Sequence, residues 1–219
     1  GMTALFEALR NFSQSAPLGQ GIRMLNLSNN NMGITDDSST LVLGINLAYL
    51  SELQTLDLSQ NWIGLRANNG TQAIGESLKY FTQLQTLDLS QNSIGYVGEE
   101  GTQAMGENLR FLANLQTLDL SQNNMGYTAD NGTQAVGEGL QHLTNLQTLD
   151  LSSNYIGWKG DDGTITIGES LRSFPQLRIL DLSSNYIGYT ADNGTQVIGE
   201  NLRSLPQLQN LDLSSNYIG

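Results

Sequence analysis

One twelve-residue phrase returns along the chain at a constant step. LQTLDLSQNWIG (53–64), LQTLDLSQNSIG (84–95), LQTLDLSQNNMG (115–126) and LQTLDLSSNYIG (146–157) align without gaps. LRILDLSSNYIG (177–188) and LQNLDLSSNYIG (208–219) continue the series, and IRMLNLSNNNMG (22–33) begins it. The first residues are 22, 53, 84, 115, 146, 177 and 208, each 31 after the last. A fixed period of this length means an array of stacked supersecondary units.

The hydrophobic period changes within a unit. Leu56 and Leu58 alternate with Asp57, as in a strand with one buried face. After a loop, Ile74, Leu78 and Phe81 in TQAIGESLKYF (71–81) form a helical stripe, with Thr71 as N-cap and Gly70 in the turn before it. Thr102, Thr133, Thr164 and Thr195 take the same place. No unit buries its apolar face alone, so neighbours must stack. Residues 3–12 read as a further helix whose Leu5, Leu9 and Phe12 cover the first repeat, with Pro17 and Gly19 ending the segment. The last phrase stops at Gly219 without a closing helix. Because arrays need polar caps, this end is expected to belong to a longer chain or to pack against another molecule.

LxxLxLSxNxIG followed by a Gly- and Ala-rich helix resembles the leucine-rich-repeat family. The likeness is to its ribonuclease-inhibitor-like class, which also caps NOD-like receptors, and it covers residues 22–219. The resemblance implies an α/β solenoid, a right-handed β-α horseshoe with parallel strands concave and helices convex. Residues 1–21 are then an N-terminal capping helix and linker, and 22–219 seven 31-residue repeats, the last truncated after its strand. The unit is slightly longer than is usual in the family, and the extra residues fall between strand and helix.

Composition narrows the function. There is no cysteine, which removes disulfides and thiolate chemistry. The net charge of −12 disfavours nucleic acid and anionic membrane and favours a cationic partner. No apolar run is long enough to span a bilayer, and no signal peptide is visible, although Gly1 before Met2 reads as a tag scar that could have replaced one. Extracellular arrays usually carry cysteine-stapled caps, so the expected location is cytoplasmic. A bacterial protein secreted into a host cell cytosol fits the pattern too.

Stacking turns each repeat position into a column. Asn30, Asn61, Asn92, Asn123, Asn154, Asn185 and Asn216 are read as a structural ladder, because an amide both donates and accepts. Asp57, Asp88, Asp119, Asp150, Asp181 and Asp212 point away from the leucines, with neutral Asn26 first in the column. Like charges about 4.8 Å apart repel by about 1 kcal/mol even in water, so something must offset them. The candidates are hydrogen bonds from flanking Ser and Thr, a basic partner, or a cation. One carboxylate per strand is too few for calcium. Eight of the ten Tyr and Trp residues line one edge: Trp62, Tyr155, Tyr186 and Tyr217 after the ladder Asn, and Tyr96, Tyr127, Trp158 and Tyr189 after the loop Gly. They either stack to shield the loops or form a binding edge of the kind aromatic hot spots make.

The acidic pairs Asp36/Asp37, Glu99/Glu100 and Asp161/Asp162 precede helices and suit their positive ends, as do Asp130 and Asp192. Glu76/Lys79, Glu107/Arg110, Glu169/Arg172 and Glu200/Arg203 are spaced as i, i+3 ion pairs. Mid-helix Gly75, Gly106, Gly137, Gly168 and Gly199 suggest close helix packing.

Catalysis is not expected. The single histidine, His142, falls on the helix side, no metal-ligand cluster or phosphate loop exists, and identical columns do not differentiate an acid from a base. No cofactor or metal is implied. The reading is a protein–protein interaction scaffold for a partner with a basic patch, bound by the aspartate column and aromatic edge. The alternative is a structural or consensus-type array with no dedicated ligand, self-associating through its C-terminal end.

Overall fold

A computed structural model describes residues 2–15 and 20–219. Seven three-residue strands form one parallel sheet in chain order: β1 (Met24–Asn26), β2 (Thr55–Asp57), β3 (Thr86–Asp88), β4 (Thr117–Asp119), β5 (Thr148–Asp150), β6 (Ile179–Asp181) and β7 (Asn210–Asp212). Each residue pairs with its equivalent 31 positions on, Thr55 with Thr86 and Asp57 with Asp88. Helices return the chain between strands: α2 (Ser38–Leu47), α3 (Asn69–Ser77), α4 (Glu100–Leu109), α5 (Asn131–Leu140), α6 (Asp162–Ser170) and α7 (Asn193–Asn201). The repeat-length register and the helical returns make this the expected α/β solenoid. Among the described residues no helix is long and apolar enough to cross a membrane.

The core lies between sheet and helices. In one repeat Leu53, Leu56, Leu58, Ile63, Ile74, Leu78 and Phe81 are all 0% exposed, so the strand and helix stripes meet as the spacing predicts. The asparagine column closes the loops over this core. Asn123 Nδ2 lies within hydrogen-bond distance of the Leu89, Leu120 and Ser121 carbonyls (2.9, 3.2 and 3.1 Å), and its Oδ1 accepts from Ile94 N at 3.0 Å. Each amide thus ties its own loop to the preceding one, satisfying backbone groups that the short strands leave unpaired.

Four expectations are corrected. First, the threonines are not N-caps. Asn68, Glu99, Asp130, Asp161 and Asp192 hold that position, and Thr71, Thr102, Thr133 and Thr164 are buried inside the first helical turn. Second, Asp36 caps its own helix, accepting from Ser38 N at 2.8 Å, but Asp37, Asp130 and Asp161 direct their hydrogen bonds to the next helix. Asp37, Asp130 and Asp161 Oδ2 accept from Gly70 N (2.7 Å), Gly163 N (2.9 Å) and Gly194 N (2.9 Å), one repeat further on. The helix dipole is compensated across the repeat boundary, which couples neighbouring units.

Third, the first helix, α1 (Met2–Ser15), turns Phe6 into the core at 1% exposure with Leu9 beside it, while Leu5 and Phe12 remain exposed. Pro17 and Gly19 lie outside the described residues. Fourth, Glu76, Glu107 and Glu200 take glutamine amides in place of cations: Gln72 Nε2 donates to Glu76 at 3.0 Å, Gln103 Nε2 to Glu107 at 3.1 Å and Gln196 Nε2 to Glu200 at 2.9 Å. A 3₁₀ turn at Leu78–Tyr80 redirects Lys79, whose ammonium lies 5.2 Å from the Tyr80 ring centroid. Arg172 Nε donates to Asn201 Oδ1 at 2.7 Å.

Candidate functional site

The aspartate column occupies the solvent face of the sheet, where the strand alternation places it. Asp57 Oδ1 accepts from both Ser59 N (3.0 Å) and Ser59 Oγ (2.7 Å), and Asp88 repeats the arrangement with Ser90. Asp119, Asp150, Asp181 and Asp212 take the backbone N–H of Ser121, Ser152, Ser183 and Ser214 at 2.8–2.9 Å. The serines therefore offset part of the repulsion; among the described residues Thr55, Thr86, Thr117 and Thr148 give these carboxylates no hydrogen bond. Asn26 Nδ2 donates to Asp57 Oδ2 at 2.7 Å, and from Asp88 onward the second oxygen takes no hydrogen bond from a described residue.

Charge is hardest to hold in the middle of the row. Burial raises the Asp119 carboxyl above its ordinary value, against the lowering by Ser121, and the flanking Asp150 and Asp88 raise it further. In β7 the Ser214 hydroxyl and N–H lower Asp212. Burial likewise raises Asp130 in the loop, where Gly163 opposes it and Asp162 and Asp161 add to it. A carboxyl whose pKa is higher folded than unfolded gains stability as pH falls through the folded value, completing near the unfolded 3.8. The melting temperature of the parent chain relative to Asp119→Asn is thus expected to rise as pH is lowered from 7 towards 4. A difference between the two that stays flat or falls contradicts this.

The aromatic edge adjoins the sheet where each strand turns towards its helix. A tight turn sets its two columns three residues apart, as in Trp158 N donating to Tyr155 O at 3.0 Å. The turn needs Gly157 at φ +89°, and a Cβ there would sit 2.4 Å from the Tyr186 carbonyl oxygen. Seven rings form one continuous ladder. Tyr96, Tyr127, Tyr155, Tyr186 and Tyr217 follow one another at centroid spacings of 5.8, 5.0, 5.5 and 5.6 Å. Trp158 lies 5.0 Å from Tyr186 and 5.1 Å from Tyr189, and Tyr189 lies 5.0 Å from Tyr217.

These spacings suit attractive ring pairs. Tyr189 and Tyr217 are nonetheless about half exposed (49% and 50%), so the ladder shields the loops while presenting ring edges and hydroxyls to solvent. Burial, reinforced by the neighbouring phenols, raises the Tyr186 pKa above its ordinary value. Trp62 stands apart, with no ring partner among the described residues and 41% exposure.

The residues before the ladder asparagines escaped sequence reasoning. Asn29, Gln60, Gln91, Gln122, Ser153, Ser184 and Ser215 all adopt φ of 53–57° and share the aromatic edge. Their recurrence is visible as a column, but an αL backbone at Gln is not announced by residue type. His142 is exposed in the turn after α5, beside Arg110 and Glu138 on the helix side.

A leucine-rich-repeat family model matches residues 82–98, 111–128 and 142–160. Among solved structures, internalin C2 of Listeria monocytogenes is similar at 22% identity, covering 99% of this chain and 85% of its own, with a TM-score of 0.49. The plant peptide hormone receptor RGFR1 in complex with RGF2 matches at 17% identity over 78% of this chain and 29% of its own, TM-score 0.37. A leucine-rich-repeat protein of Leptospira interrogans matches at 15% identity over 97% and 64%, TM-score 0.32. No curated protein matches.

Proposed function

The chain is a leucine-rich-repeat protein, and we propose that it binds a protein partner through its aromatic ladder and the adjoining aspartate row. Arrays of this family generally serve as protein-interaction scaffolds. The observation that carries the finer reading is the unbroken run of seven rings from Tyr96 to Tyr217, held in contact yet half exposed at Tyr189 and Tyr217. Exposed Tyr and Trp on a rigid support supply contact area at little entropic cost, and such residues dominate interface energetics. The free carboxylate oxygens beside them favour a partner with a basic patch, and the net charge of −12 speaks against nucleic acid or an anionic membrane. The same reading places the protein in a cytosol, its own cell's or a host's.

Binding partners captured by the intact array provide the test. Tyr155→Ala, Trp158→Ala and Tyr186→Ala combined are expected to weaken a captured partner about 100-fold, as for loss of hot spots totalling about 3 kcal/mol. Glu76→Ala with Glu107→Ala, on the helix side, is expected to change it less than threefold. Equal losses from the two sets overturn the proposal. The self-associating alternative draws on exposed Leu211 and Ile218 in the last repeat and predicts a mass that rises with concentration in light scattering; the scaffold reading predicts a constant one.

A further inference from the structure

The edge is not chemically uniform, and its first half has a different composition from the tyrosine ladder. The αL column carries amides at Asn29, Gln60, Gln91 and Gln122, then hydroxyls at Ser153, Ser184 and Ser215. The neighbouring column changes in step, from Asn31, Trp62, Ser93 and Asn124 to Tyr155, Tyr186 and Tyr217. A shallow groove of ≈ 290 Å³ opens in the amide half, lined by Asn29, Asn31, Gln60, Trp62, Gln91 and Ser93 together with two ladder asparagines. None of these side chains is charged.

We propose that this groove binds a neutral pyranose oligosaccharide. The rings of the tyrosine ladder are engaged with one another, stacked at Tyr155–Tyr186–Tyr217 and edge to face at Tyr127–Tyr155 and Tyr189–Tyr217, whereas Trp62 has no ring neighbour among the described residues and is free to stack on the C–H face of a sugar. The ladder amides of Asn61 and Asn92 are consumed by backbone. Those of Asn29, Asn31, Gln60 and Gln91 make no hydrogen bond to any described residue. Each offers two donors and an acceptor, the complement of vicinal sugar hydroxyls. The φ angles of 54–56° at Asn29, Gln60 and Gln91 belong to a turn repeated in every unit, so these amides are carried at fixed places on a rigid edge, while Asn31 has a positive φ (53°) of its own. A charged ligand finds no counter-ion here, and a peptide finds no apolar bed beyond Trp62. The volume is at the lower end of small-molecule sites, enough for one or two sugar rings.

The test is calorimetric titration of the full chain with maltotriose, cellotriose and tri-N-acetylchitotriose. At least one is expected to bind saturably, with a tenfold or greater loss in Trp62→Ala. Gln60→Ala with Gln91→Ala, which keeps the ring, is expected to lose as much. Tyr155→Ala/Trp158→Ala/Tyr186→Ala is expected to bind sugar unchanged, which separates this site from the protein-binding edge. No saturable heat with any of the three sugars overturns the proposal, as does binding that survives Trp62→Ala or that falls only in the Tyr155/Trp158/Tyr186 variant.

Discussion

Changing Asn123 to alanine is expected to cost about 4–6 kcal/mol of folding stability, an effect shared by Asn92, Asn154 and Asn185, which make the same bonds. The Ile94 N–H has Asn123 Oδ1 as its partner and is buried, so the substitution orphans it at about 1–3 kcal/mol. The Leu89, Leu120 and Ser121 carbonyls lose one bond each but keep another, from Asn92, Asn154 and Gln91 N, at about 1 kcal/mol apiece. Asn124→Ala is the control. Its side chain makes no hydrogen bond to a described residue, and it is expected to stay within about 0.5 kcal/mol of the parent. Urea denaturation reads both, and similar losses for the two contradict the ladder account.

Glycine at the middle of each helix yields the second large effect, and its sign reverses along the array. A Cβ on Gly106 would lie 2.3 Å from the Ala135 carbonyl carbon and 2.4 Å from Val136 N. Backbone cannot rotate away, so α4 and α5 must part. Overpacking of this kind costs about 1–3 kcal/mol or more, outweighing the roughly 1 kcal/mol that alanine gains over glycine in a helix. Gly106→Ala is therefore expected to destabilise by about 2 kcal/mol. At Gly199 the same Cβ meets nothing within 4 Å, so Gly199→Ala is expected to stabilise by about 0.5–1 kcal/mol. Equal effects in thermal melts would show that helix propensity, not contact between helices, governs these positions.

The contrast between those glycines shows what sequence reasoning reaches. The 31-residue step predicts the register outright: Leu56 sits beside Leu87 and Asp57 beside Asp88 because identical units stack. It also predicts that the amide of Asn123 joins two repeats. What escapes is chemistry whose partners lie one repeat apart at unequal positions. Asp130 reads locally as a charge ahead of its own helix, yet its carboxylate caps Gly163, 33 residues on. Thr133 has the composition of an N-cap but is drawn into the core when the helix begins two residues earlier. Phe6 displaces Leu5 and Phe12 because a single helix has no repeat to fix its phase.

At the candidate site the two aromatic columns were legible as spacing. That seven rings join and Trp62 does not depends on side-chain reach across the turn. The turn itself depends on φ at Gln60 and its equivalents, which residue type does not reveal.

The central claim is that a partner seats on the aromatic edge and aspartate face rather than on the helices. Site-specific photo-crosslinking measures this most directly. Benzoylphenylalanine is placed at Tyr127 on the edge and, separately, at Glu107 on α4, and each protein is irradiated with the captured partner. A covalent adduct is predicted from position 127 and little from 107. Adducts of equal yield, or a stronger one from 107, would contradict the account.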